Sequence, residues 1–244
     1  MTPRPRVLVI QHEDDCPVAM IEPWLAEVGL ACDVLAAHEG RAVPAHLVDH
    51  VALVVLGGRM GAGDDADHRW LTPTKALITT VVSAGLPFLG VCLGHQLGAV
   101  ALGGQVRRHV RPTRALHPLG LTDEGRADEL LGGLGPVPAV LHWNDDVVTR
   151  TPPASTVLAR SPDGAVQALR LGPRAWGVQF HPEVTARTVR GWAADRVLTA
   201  QEELIVDELA RRTPELHRSW ARLVHGFGRV VLEEPHPGPV REPS

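Results

Sequence analysis

The stretch LPFLGVCLGHQLGAVALGG (86–104) leaves this chain few ways to fold. An unbroken apolar run, Leu86–Val91, enters a turn with glycine on both sides of a cysteine, Gly90-Val91-Cys92-Leu93-Gly94. A small-residue helix over Gly94–Leu102 begins at once and is stopped by Gly103-Gly104. A strand without polar alternation is covered on both faces, and a strand feeding straight into a helix is half of a βαβ unit. The glycines let neighbouring backbone come close, and the turn projects the cysteine from the end of a sheet in the manner of a nucleophile elbow. The sulfur then meets the positive end of the helix dipole and its free N–H groups, surroundings that favour a thiolate. A buried cysteine in an ordinary strand-to-helix turn fits these residues equally well, so the chemistry needs a base from elsewhere.

The rest of the chain repeats the same alternation. Strands are expected at Arg6–Ile10, Ala31–Leu35 and Val51–Leu56, the last ending in Gly57-Gly58. Helices are expected at Met20–Val28, closed by Gly29, and at Thr72–Ala84, closed by Gly85. This is an α/β chain with a mainly parallel central sheet flanked by helices. From Arg107 to Leu171 the turns crowd together (GLTDEG, RSPDGA), which predicts an antiparallel section laid on one edge of that sheet. Ala175–Phe180 is a further strand, and Thr185 to about Val231 has a helical pattern. The expected division is therefore a domain over 1–184, a helical extension packed on it over 185–231, and a disordered tail over 232–244.

Composition narrows the partners. With 244 residues and 44% of them hydrophobic, the chain can bury one large core. A formal net charge of -4 gives no reason to expect nucleic-acid or anionic-membrane binding, and RRHVR (107–111) reads as a solvated face. Cys16, Cys32 and Cys92 are too few and too scattered for a disulfide framework or a structural zinc site. Neither a metal nor a cofactor is expected. The run VLVI near the N-terminus is far too short for a signal sequence, and no segment approaches the roughly 20 apolar residues of a membrane span. A cytoplasmic protein is expected.

The base is found in RAWGVQFHPEV (174–184). Residues i and i+2 of an extended chain share a side, and a residue before proline is biased toward extended geometry. His181 and Glu183 thus lie on one face, where the carboxylate holds the imidazole tautomer and stabilises imidazolium. His236-Pro237 in the tail shows how readily the dipeptide alone occurs among 13 histidines; the pairing with the cysteine elbow is what makes it specific.

GVCLGHQ and VQFHPE, in this order and separation, resemble the nucleophile and His-x-Glu motifs of the class I glutamine amidotransferase family. The resemblance covers roughly Arg6–Val184 and includes the glycine loop VLGGRMGA (55–62). It implies a flavodoxin-like sheet and a Cys-His-Glu triad that forms a γ-glutamyl thioester, which water hydrolyses. By resemblance, Cys92 is the nucleophile, His181 the general base and then acid, and Glu183 its orienter. The backbone N–H groups of Gly58 and Leu93 stand where the family builds its oxyanion hole, and Gln96 where it binds glutamine. LHWNDDVV (141–148) resembles the family's H-G-D loop, but Asn144 and Asp145 replace His and Gly while Asp146 fits. Altered recognition of the substrate's amino-acid end and a purely structural loop both remain open.

No nucleotide-binding loop or synthase domain is seen after the triad, and the helical extension resembles that of stand-alone, GMP-synthase-like members. Three readings follow. The chain hydrolyses glutamine and supplies ammonia to a separate synthase subunit; it is a free-standing hydrolase of γ-glutamyl amines or peptides; or it is a non-catalytic regulatory subunit, against which the complete triad argues.

Overall fold

A computed structural model describes residues 3–135, 138–193 and 196–233. The first half alternates strand and helix: β1 (Arg6–Gln11), α1 (Ile21–Glu27), β2 (Ala31–Ala36), β3 (Ala52–Val55), α2 (Leu71–Ser83), β4 (Phe88–Val91) and α3 (Leu93–Ala101). Then come β5 (Gln105–Pro118), β6 (Gly120–Leu121), α4 (Asp123–Ala127), β7 (Ala139–Arg150), β8 (Thr156–Arg160), β9 (Val166–Gly172) and β10 (Ala175–Val178). Helices α5 (Ala186–Gly191) and α6 (Ala200–Leu232) complete the described chain.

The central sheet runs β2-β1-β3-β4-β10-β9-β8-β6. Its first five strands are parallel, and β9, β8 and β6 add antiparallel at one edge. The parallel centre is apolar on both faces for a visible reason. Val7 and Val9 of β1 join one core with α1 and α6, whereas Leu8 and Ile10 join a second core with α2 and α3. Alternate side chains of a strand point to opposite faces, so only an uninterrupted apolar strand can serve two helical layers.

The section from Arg107 to Leu171 departs from expectation in one respect. Only β6, β8 and β9 extend the sheet; β5 and β7 pair with each other as a separate antiparallel ribbon. The ribbon meets the chain beyond β10 instead, where Leu141 O of β7 accepts from His181 N–H. Helix formation at the C-terminal side is also interrupted. A capping box of Thr199 and Glu202 starts α6 afresh after α5, and the break contains Trp192. The tail expected from 232 onward lies, past Glu233, outside the described residues. Among the described residues no helix is long and apolar enough to cross a membrane.

Candidate active site

β4 and β10 are neighbouring parallel strands, so their C-terminal ends meet at one edge of the sheet. That is the physical reason Cys92 and His181 come together. Cys92 follows β4 directly and caps α3, its N–H bound to Val178 O of β10 at 2.8 Å. Its backbone is strained, with φ at 52° and ψ at -104°, a conformation L residues adopt only where surroundings over-determine it. Two glycines make the turn possible. A Cβ on Gly94 would lie 2.0 Å from Val55 O, and one on Gly90 would lie 2.5 Å from Gly94.

The strand expected over Ala175–Phe180 ends two residues earlier, at Val178, so His181 follows it at a distance of three residues rather than directly. β10 stops at Val178: Gln179 N–H still bonds Gln167 O of β9, but His181 N–H bonds Leu141 O of β7 at 3.0 Å. The ribbon therefore holds the imidazole's backbone in place. His181 Nδ1 lies 2.7 Å from Glu183 Oε1, with both side chains buried. Burial alone pushes this imidazole down. The Glu183 carboxylate, the Cys92 sulfur and hydrogen bonds to both override it and raise the pKa to about 10. With Nδ1 engaged by Glu183, Nε2 is the nitrogen left for the sulfur.

The other two cysteines differ in kind. Burial first, then the charges of Glu13, Asp15, Cys92 and Glu183, push the Cys16 thiol up, and burial with Glu22 pushes Cys32 up to about 12. Both remain thiols at neutral pH.

Of the remaining expected residues, Gly58, Gln96 and Asp146 line a cavity of about 640 Å³ with Cys92 and His181, whereas the Leu93 side chain does not line it. Among the described residues no acceptor meets the N–H of Gly58 or of Leu93. Gln96 Nε2 donates to Asp146 O at 3.1 Å and to Gln179 Oε1 at 3.2 Å, which leaves its own amide oxygen for a ligand. The Asp146 carboxyl is raised, by burial and then by Asp145 and Asp64, against the lowering effect of Arg108. The segment expected as a loop is part of strand β7, and its two departures have structural work of their own. Asn144 Nδ2 donates to Asp146 O at 3.0 Å, and Asp145 pairs with Arg114 at 2.5 Å.

Several residues around the site were not foreseen. Gln179 Nε2 reaches Cys92 Sγ at 3.6 Å, bridging it to Gln96. Its place two residues before His181 was the available signal, since period two puts both on one side. Trp143 and Trp192 line the cavity as well, and nothing in their local sequence distinguishes them from core tryptophans. The only cluster of potential metal ligands among the described residues, Asp14, His38 and Glu39, lies apart from the cavity lining.

The family model for class-I glutamine amidotransferases matches residues 17–195. The chain is 42% identical over 105 residues to a glutamine-hydrolysing GMP synthase subunit of Sulfolobus acidocaldarius, a stretch covering 43% of this chain and 54% of that protein. It thus spans about half the length of the curated GMP synthase subunits it matches. It is 29% identical over 189 residues to a glutamine amidotransferase-like protein, YfeJ, of Salmonella typhimurium, covering 76% and 79% of the two chains. Among solved structures, a glutamine amidotransferase from Methylobacillus flagellatus superposes with a TM-score of 0.83 at 26% identity, over 97% of this chain and 98% of that one.

Proposed function

The chain belongs to the class-I glutamine amidotransferase family, and from that premise we propose that it hydrolyses a γ-glutamyl amide, glutamine to glutamate and ammonia, through a thioester on Cys92. The observation that carries this reading is the buried imidazole of His181, set between the Cys92 sulfur and the Glu183 carboxylate.

His181 takes the Cys92 proton as Sγ attacks the amide carbonyl, and the negative charge on its oxygen falls to the free N–H groups of Gly58 and Leu93. One such donor is worth about 3 kcal/mol in a dry site. As the C–N bond breaks, imidazolium His181 gives its proton to the departing nitrogen, while Glu183 holds the ring and its charge. A water molecule then loses a proton to His181 and adds to the thioester carbon. The C–S bond breaks, releasing glutamate and restoring Cys92. Gln96, through its amide oxygen, and Asp146 receive the amino-acid end of the substrate.

The relatives named as GMP synthase subunits support delivery of the ammonia to a separate synthase polypeptide. The size of the cavity favours the second reading, a free-standing hydrolase of larger γ-glutamyl compounds. We assign residues 1–184 to the catalytic domain and 185–231 to an extension packed on it. The three free cysteines support a reducing, cytoplasmic setting.

Purified protein given glutamine should release glutamate and ammonia, and mass spectrometry of quenched enzyme should find a γ-glutamyl adduct on Cys92. Retention of turnover in Cys92→Ala would overturn the mechanism.

A further inference from the structure

The glycine loop between β3 and α2 stands against the reacting groups. A Cβ on Gly57 would lie 3.2 Å from His181 Cε1 and 3.6 Å from Cys92 Cβ, and one on Gly58 would lie 2.9 Å from Leu93 Cδ2. The imidazole, the sulfur-bearing carbon and the two residues with free N–H groups thus adjoin one another. Such closeness needs glycine, and glycine is the residue whose peptide planes turn most freely. A donor swung away from its acceptor weakens steeply, so something outside the loop has to hold it.

Neither the sheet nor the elbow reaches far enough. Leu56 is the last residue tied to them, its N–H bonding Ile10 O at 3.0 Å and its O accepting from Gly94 N–H at 3.1 Å. The next fixed point is Gly61, whose N–H bonds Asp64 Oδ2 at 2.7 Å. Between these two, among the described residues, one N–H meets an acceptor: that of Arg59, which donates to Glu13 Oε1.

Glu13 is itself tied down. Its O accepts from Gln11 Nε2 at 2.8 Å and from Cys16 N–H at 3.3 Å, and its Oε2 lies 3.8 Å from Arg59 Nε. Burial, joined by Asp15, pushes the carboxyl up against the lowering effect of the Arg59 N–H and guanidinium. Arg59 lines the cavity that holds Cys92 and Glu13 does not, so any part Glu13 has in the reaction passes through Arg59.

A peptide unit is planar. Fixing Arg59 N–H therefore fixes the far side of Gly58, and with Leu56 anchored on the near side the Gly58 N–H has little room to rotate. We propose that Glu13 is a positioning residue for the oxyanion hole, keeping the Gly58 N–H aimed at the substrate carbonyl oxygen through the Arg59 peptide. The inference rests on the reading of Cys92 as nucleophile toward a γ-glutamyl amide. No atom of Glu13 enters the reaction, and the steps at Cys92 and His181 keep their form.

The test measures turnover of glutamine and of γ-glutamyl-p-nitroanilide in the unaltered protein and in Glu13→Ala, Glu13→Met, Glu13→Gln, Arg59→Ala and Cys92→Ala. Beside it runs the rate at which iodoacetamide alkylates Cys92, read by peptide mass mapping. Deleting an oxyanion donor costs about 10²–10³ in kcat, so Glu13→Ala and the space-filling Glu13→Met, which loosen the donor, should lower kcat about 30-fold and leave KM within about twofold. Alkylation displaces iodide and builds no charge on a carbonyl oxygen, so its rate at Cys92 should change by less than about threefold. Glu13→Gln, whose amide oxygen still accepts, should keep about a third of kcat or more. Arg59→Ala keeps the N–H and should lose less than Glu13→Ala. An undiminished kcat in both Glu13→Ala and Glu13→Met would sink the positioning role while leaving the Cys92 chemistry intact. So would an alkylation rate falling with kcat, or a loss in Glu13→Gln or Arg59→Ala as deep as in Glu13→Ala. Turnover of neither substrate, or turnover surviving in Cys92→Ala, would instead remove the reading beneath it.

Discussion

His181 Nδ1 and Glu183 Oε1 stand 2.7 Å apart with almost no exposure of either side chain. In that environment a carboxylate fixes both the tautomer and the charge of the ring, because no water competes for the contact. Replacing Glu183 by Ala should lower kcat by about 10² to 10⁴-fold, the range expected when an acid–base group loses its alignment. Glu183→Gln should keep the fold, by circular dichroism, and still lose most of the rate. Activity within threefold of the unaltered protein would deny Glu183 its orienting role.

The same contact sets a pH profile. His181 is raised above the unfolded value of 6.5 to about 10, its partners outweighing burial. The stability it contributes is therefore fully present below about pH 6.5 and is lost as pH rises through about 10. The proton needed by the departing amine is lost over the same range, so kcat/KM should fall on the alkaline side near pH 10. In Glu183→Gln that limb should move to lower pH, which a pH–rate series reads directly. An unmoved limb would assign it to another group.

Acid should destabilise the fold through the neutral histidines. Burial holds His95 down at about 4, with the Gly177 backbone opposing. Its contribution is present above the unfolded value of 6.5 and is lost as pH falls through about 4, at about 1.4 kcal/mol per pH unit for one proton. His95→Met, which fills a similar space without titrating, should flatten the stability curve between these limits by about one proton. Urea melts at several pH values give the slope, and an unchanged slope would contradict the assignment.

Gly94→Ala tests the elbow itself. Its Cβ would meet backbone at Val55 O, which no rotamer change can relieve. Overpacking costs about 1–3 kcal/mol and more against backbone, so the variant should melt well below the unaltered protein and lose activity with it. Gly63→Ala, where nothing lies within 4 Å of the added carbon, is the control and should melt normally.

The alternation of apolar strands with glycine-closed helices was enough to read the parallel sheet, because strands buried on both faces must be apolar throughout. The elbow at Cys92 and the pair His181–Glu183 were legible too, since each depends on spacing within a few residues. Short-range geometry, though, says nothing about which strands adjoin. The approach of β4 to β10, which puts Cys92 beside His181, is a consequence of strand order, as is the pairing of β5 and β7 with each other apart from the sheet. That ribbon and the break before α6 bring Trp143 and Trp192 to the site from distant parts of the chain. Local sequence determined the turn at Cys92 and the pairing of His181 with Glu183 at i+2; the packing of elements decided what surrounds them, because burial and long-range contact arise only once the layers close.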